Sequence, residues 1–123
     1  MSAEVLEILY VGNVIAGAAF KECFEPLGWN VYIPADRIEA LGMFINWMPH
    51  LVILDALKDP ELVQDVYHHI RTVDETPVIV VGAVAGTIGE IDCDTTRAVP
   101  AHTPLSTLAF LAQELVEKYP RQL

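Results

Sequence analysis

Short runs of β-branched residues alternate along the chain with longer stretches in which apolar residues recur every three or four positions, the pattern of parallel strands joined by crossover helices. Five strands and four or five helices are predicted. The first strand is EILYV at residues 7–11. A helix over 15–27 follows, with Phe20, Phe24 and Leu27 at helical spacing and Gly28 as its stop. Strand two is 29–33. Asp36 caps a helix that places Ile38, Leu41, Ile45 and Met48 on one inward face, and Pro49 ends it. Strand three is LVIL at 51–54. Asp59 and Pro60 supply the N-cap and first turn of a helix with Leu62, Val66, Ile70 and Val73 inward. Pro77 then opens PVIVVGA, an unbroken apolar run suited to a central strand covered on both faces. The stretch 84–97, VAGTIGEIDCDTTR, holds two glycines and several short polar or β-branched residues, so a short or irregular element is expected there. A last strand is expected around 97–102. Thr103 with Pro104 then caps a final helix that turns Leu108, Leu111, Ala112 and Leu115 to the sheet.

This order predicts an α/β protein with a doubly wound parallel sheet. Its 123 residues, 53% hydrophobic and 20% charged, fit one domain over 1–123 and exclude a disordered chain. Acidic residues outnumber basic ones 17 to 7, a net charge of −10 that repels nucleic acid and anionic lipid, so neither is an expected partner. The N-terminus lacks the basic region of a signal peptide and no apolar run is long enough to span a bilayer, which implies a soluble, cytoplasmic protein. Cys23 and Cys93 match no zinc spacing and are expected to be reduced, buried thiols.

In a sheet of this kind ligands bind beyond the carboxyl ends of the strands. Those ends carry Gly12 and Asn13, then Asp55, then Gly82 and Ala83, then His102 and Thr103. Asp55 is the only formal carboxylate directly at them.

From residue 7 to about residue 118 the chain resembles the receiver domain of two-component response regulators, and LVILD at 51–55 carries the resemblance best. It implies a flavodoxin-like (βα)5 three-layer sandwich with a five-stranded parallel sheet, and it places Asp55 where receivers accept a phosphoryl group. ILYVGN at 8–13 is similar to the first strand, with Gly12 and Asn13 in place of the acidic pair; PVIVVGA is similar to the fourth, with Gly82 in place of a hydroxyl residue. AHTP at 101–104 is similar to the end of the fifth, with Thr103 in place of lysine, and the aromatic residue of that strand is missing.

These departures bear on chemistry. Phosphoryl transfer to a carboxylate needs a metal and a cation to absorb charge in the transition state. Mg²⁺ takes oxygen ligands in octahedral geometry, and here only Asp55 and the Asn13 carbonyl remain, so Mg²⁺ binding is expected to be weak or absent and no other cofactor is implied. Lys58 or His102 would have to replace the lost cation. Restoring Gly12→Asp, Asn13→Asp, Gly82→Thr and Thr103→Lys together is expected to create Mg²⁺ binding. The reading is a receiver-like signalling module with a degenerate phosphorylation pocket, not an enzyme, that acts through protein contacts. The alternative is an active receiver phosphorylated on Asp55 by a partner histidine kinase. The expected partners are a histidine kinase or another signalling protein, or a second copy bound through 84–118, where Ile88, Ile91 and Val99 offer apolar contacts. A third, weaker reading is a small-ligand sensor using the emptied pocket beside Asp55.

Other signals carry less. GNVIAG at 12–17 has P-loop-like glycine spacing without the lysine and hydroxyl that hold phosphate, and its loop lacks the hydroxyls a flavin phosphate needs. Gly82, Gly86 and Gly89 offer amides to an anion but more simply permit turns. His68 and His69 are neighbours on a helix and point apart. No serine or cysteine sits on a nucleophile elbow. Trp29, Trp47, Phe44 and Met43 exceed what one amphipathic face needs, so some of them are candidates for a partner surface, with core packing the plainer account.

Overall fold

The computed structural model describes residues 5–82 and 95–120. In chain order these form β1 (Glu7–Val11), α1 (Val14–Phe24), a 3₁₀ turn (Glu25–Leu27), β2 (Asn30–Tyr32), α2 (Arg37–Trp47), β3 (Leu51–Asp55), α3 (Pro60–Val73), β4 (Val78–Val81), β5 (Thr96–Val99) and α4 (Leu105–Lys118). The strands make one sheet in the order β2-β1-β3-β4-β5, and every neighbouring pair is parallel. This is the expected doubly wound α/β sheet with the flavodoxin-like strand order. Ala83, Gly86, Ile88, Gly89, Ile91 and Cys93, named above, lie outside the described residues.

Strand alternation splits the core in two. Ile8, Tyr10, Leu51, Ile53, Ile79 and Val81 face one side, where Phe20 and Phe24 of α1, Trp29, and Leu108, Ala112 and Leu115 of α4 cover them. Leu9, Val11, Val52, Leu54, Val78 and Val80 face the other, beneath Ala40 and Phe44 of α2 and Val63, Val66 and Ile70 of α3. β3 and β4 are buried along their whole length, which accounts for their unbroken apolar runs.

The local signals at helix ends act as expected in three places. Asp36 and Asp59 accept from the backbone N–H of Glu39 and Leu62, at 2.9 and 3.1 Å. Gly28 takes a left-handed φ of 93° that closes the 3₁₀ turn. Elsewhere the structure corrects the reading. α1 ends at Phe24 and the 3₁₀ turn leaves Leu27 in solvent. α2 buries Ala40 and Phe44, whereas Ile38 is 83% and Ile45 54% exposed. The small Ala40 lets the helix approach the sheet and Phe44 fills the space beside it. Trp47, at the helix end, packs at a tilt against Tyr32 of the edge strand with ring centroids 4.5 Å apart and stays partly exposed. Trp29 and Phe44 are core.

α3 keeps Val66 and Ile70 inward but is rotated by roughly half a residue step from its expected face, burying Val63 and Tyr67 as well and exposing Val73. Tyr67 goes inward because its hydroxyl meets Thr96 Oγ1 at 3.1 Å. Arg71 stacks over the same ring, 5.2 Å from its centroid, and donates to Thr96 Oγ1 and to the Thr76 carbonyl at 2.7 and 2.8 Å. This network ties α3 to the first residue of β5. β5 itself spans Thr96–Val99, earlier than the expected 97–102. Cys23 is an exposed free thiol, not a buried one, because it lies on the outer face of α1.

Candidate functional site at the carboxyl end of the sheet

β3 ends on Asp55, whose side chain is only 3% exposed. Two donors hold it. The Tyr10 hydroxyl donates to Oδ2 at 2.9 Å, and the backbone N–H of Leu57 donates to Oδ1 at 3.1 Å. Tyr10 lies opposite Ile53 in the β1–β3 register, so parity puts Tyr10, Ile53 and Asp55 on one face and the phenol reaches one step along β3 to the carboxylate. The phenol is 2% exposed. Burial pushes its pKa far above the ordinary 10.0, and the Asp55 charge and the hydrogen bond donated to Asp55 push it the same way.

Gly12 follows β1 with φ +105°, a left-handed conformation that favours glycine. A Cβ there would overlap the Asp55 carbonyl oxygen and crowd Val63 Cγ2 at 3.1 Å. The main chain after β1 is thus pressed onto the main chain of Asp55, in the place where the resemblance puts an acidic side chain. Restoring Gly12→Asp would therefore require the backbone to be rebuilt. Asn13 is buried but does not reach toward Asp55. Its Oδ1 accepts from Ala16 N at 3.1 Å and its carbonyl from Gly17 N at 2.8 Å, so both oxygens bond the start of α1.

Gly82, with φ +75°, donates its N–H to the Val99 carbonyl, and a Cβ on it would touch that of Ala101 at 3.4 Å. Gly12, Asp55, Leu57, Gly82 and Ala101 therefore converge. Thr103 turns back: its hydroxyl donates to the Pro100 carbonyl at 2.7 Å, as does its N–H at 3.2 Å. It does not cap α4, whose N-cap is Pro104 with no side-chain bond, because the nearer carbonyl takes the hydroxyl. Lys58 and His102 are exposed. Among the described residues no cation lies within ion-pair distance of Asp55, the ion pairs being Lys21 with Glu25 and Arg37 with Asp65. No cluster of three or more metal-ligating side chains occurs among the described residues.

Tyr10, Leu57 and Ala101 are the site residues that the sequence reading missed. A signal for Tyr10 exists, since a hydroxyl on a strand buried on both faces needs a partner and Asp55 is the carboxylate at that end. A cleft of about 480 Å³ lies at the opposite end of the sheet, lined among others by His50, Asp74, Glu75, Lys118 and Tyr119. It is separate from Asp55. No described helix is long and apolar enough to cross a membrane.

No family model matches the chain and no curated protein matches it. Solved structures do. The receiver domain of the Francisella response regulator 1452 superposes with a TM-score of 0.75 at 18% identity, covering 92% of this chain and 98% of that one. The receiver domain of a signal transduction histidine kinase from Syntrophus aciditrophicus gives 0.74 at 19% identity, covering 97% and 96%. The chemotaxis response regulator CheY4 of Vibrio cholerae gives 0.73 at 15%, covering 91% and 99%. The likeness spans nearly the whole of both partners in each pair, and the chain has the CheY-like receiver fold of response regulators.

Proposed function

We propose that this chain is a receiver-type signalling module that works by binding another protein, with Asp55 retained as a structural carboxylate and not as a phosphoacceptor. The observation that carries the reading is the internal satisfaction of Asp55. Both carboxylate oxygens accept hydrogen bonds from the chain itself, from Tyr10 and Leu57. Each oxygen keeps a second lone pair, but the residue is only 3% exposed and among the described residues no cation lies within ion-pair distance, so a metal or phosphoryl group would have to enter a buried site already bonded by the chain and find its charge unmatched. Asp55 at the end of β3 in a receiver fold favours the second reading, an active phosphoacceptor served by a histidine kinase. The closure of the Gly12 backbone over Asp55 weighs against it.

On this reading the chain is not an enzyme and needs no Mg²⁺. Its partner is another signalling protein, and the surface assigned to it is the outer face of α4, where Phe110 is 66% exposed beside Glu114 and Glu117. An apolar contact ringed by basic side chains would complement that surface. Intact mass after incubation with a small phosphodonor, with and without Mg²⁺, tests the reading. No added phosphoryl group in folded protein is expected. A Mg²⁺-dependent gain of one phosphoryl group that vanishes in Asp55→Asn would establish the phosphoacceptor instead.

A further inference from the structure

The Tyr10 ring is held from two sides. Its hydroxyl donates to Asp55 Oδ2 at 2.9 Å, and α1 rests against the ring at Gly17, where an added Cβ would stand 3.1 Å from Tyr10 Cδ1. Phe20, nearly one turn further along α1, meets the same ring with centroids 5.6 Å apart. A row of rings continues from it, Phe20 to Phe24 at 4.7 Å and Phe24 to Trp29 at 5.2 Å, the last pair stacked. All four residues are buried.

The main chain makes a second tie at the start of the helix. Gly12 presses on the Asp55 carbonyl, and the next residue, Asn13, caps α1. α1 thus meets Asp55 through backbone at its first turn and through the phenol one turn later. α4 covers the same face of the sheet without such a link. Among the described residues no hydrogen bond joins Asp55 to α4, and Thr103, in the turn before that helix, bonds back to Pro100.

We infer that the Tyr10–Asp55 pair is the seat of α1: the carboxylate fixes the phenol, the phenol fixes how α1 lies on the sheet, and a group that takes Oδ2 from the phenol loosens α1 while leaving α4 in place. A buried hydroxyl that loses its acceptor carries the cost of an unmade hydrogen bond, so the phenol turns toward a new partner. The interior is packed too densely for the ring to turn alone. With no slack at Gly17, the movement passes to the helix and along the row of rings to Trp29. The inference deepens the account of the Asp55 site by naming the element that the site controls. It rests on the hydrogen bond from Tyr10 and holds for a structural Asp55 and for a phosphoacceptor alike, so the phosphodonor experiment leaves it standing or falling on its own test.

Amide hydrogen exchange, resolved by residue on isotope-labelled full chain, supplies that test. In Tyr10→Phe the amides of Phe20, Lys21 and Phe24 are expected to exchange about fivefold faster, and in Asp55→Ala, which strands the phenol, about tenfold faster. Those of Ala112, Leu115 and Val116 in α4 are expected to stay within about twofold of wild type. The indole N–H resonance of Trp29 is expected to move in both variants and that of Trp47 to stay. Thr103→Ala is expected to leave α1 as it is. Tyr10→Phe removes a single oxygen and decides the matter by itself if Asp55→Ala does not fold. Equal acceleration in α1 and α4, which general loss of stability would produce, would overturn the inference, as would unchanged α1 exchange, a stationary Trp29 resonance, or an α1 that responds to Thr103→Ala as it does to Tyr10→Phe.

Discussion

The ends of β3 and β5 stand two strands apart on the same edge of the sheet and have gone different ways. At β3 the carboxylate of Asp55 stays buried and ligated by the chain, with the Tyr10 phenol on one oxygen and the Leu57 amide on the other. At β5 the position that carries a cation in the resembling family is Thr103, whose hydroxyl bonds back to Pro100 and serves only its own turn. A buried anion has to be compensated, and a phenol with an amide can do so without a full positive charge. On the proposed reading, Tyr10 and Leu57 supply donors to Asp55 that a lysine from β5 would otherwise supply. That reading would give the threonine at 103 and the carboxylate at 55 one physical explanation.

Substitutions can break this comparison, and the largest effect is expected where the main chain closes over Asp55. Gly12→Ala should destabilise the fold by about 3 kcal/mol or more in urea unfolding, because strain at φ +105° adds to overlap with the Asp55 carbonyl. Gly28→Ala, at φ +93° with no neighbour near the new methyl, should cost only about 1 kcal/mol. Tyr10→Phe removes one donor from a buried carboxylate and should cost about 1–3 kcal/mol, in a double-mutant cycle non-additive with Asp55→Asn.

Alkaline pH supplies a smaller effect with a definite sign. The unfolded chain releases the Tyr10 proton near the ordinary 10.0, whereas the folded chain holds it well above that value. The Tyr10 contribution is therefore complete below pH 10 and is lost as pH rises above it, at a slope of up to about 1.4 kcal/mol per pH unit. The difference in stability between wild type and Tyr10→Phe should narrow over that range, and a constant difference would contradict the assignment. Lys58→Ala and His102→Ala should be the quietest, within about 0.5 kcal/mol of wild type, since both side chains are exposed and neither reaches Asp55.

The strands, the two aspartate caps and the Gly28 stop were legible in the sequence because each depends on a few adjacent residues. Helix faces were less so. Periodicity gives the spacing of apolar residues but not the rotation of the helix on the sheet. In α2, Ala40 and Phe44 set that rotation, and the more obvious stripe of Ile38, Leu41 and Ile45 was mistaken for the inner face. Tyr67 displaced Leu62 and Val73 on α3 because Thr96, 29 residues away, could satisfy its hydroxyl. Asp55 was legible as a strand-end carboxylate. Its partner is signalled only by the need of a buried Tyr10 hydroxyl for an acceptor, since the hydrogen bond spans 45 residues and belongs to no short motif. Thr103 has the residue type of a cap, and only the geometry shows that Pro100 takes its hydroxyl.

Titration of isotope-labelled wild-type protein with Mg²⁺, followed through the backbone amides of Gly12, Asn13, Asp55, Ala56 and Leu57, tests the central claim most directly. With Asp55 held by Tyr10 and Leu57, those amides should show no saturable shift at millimolar Mg²⁺. Saturable shifts confined to them, and lost in Asp55→Asn, would show that the carboxylate still takes a metal and would contradict the account.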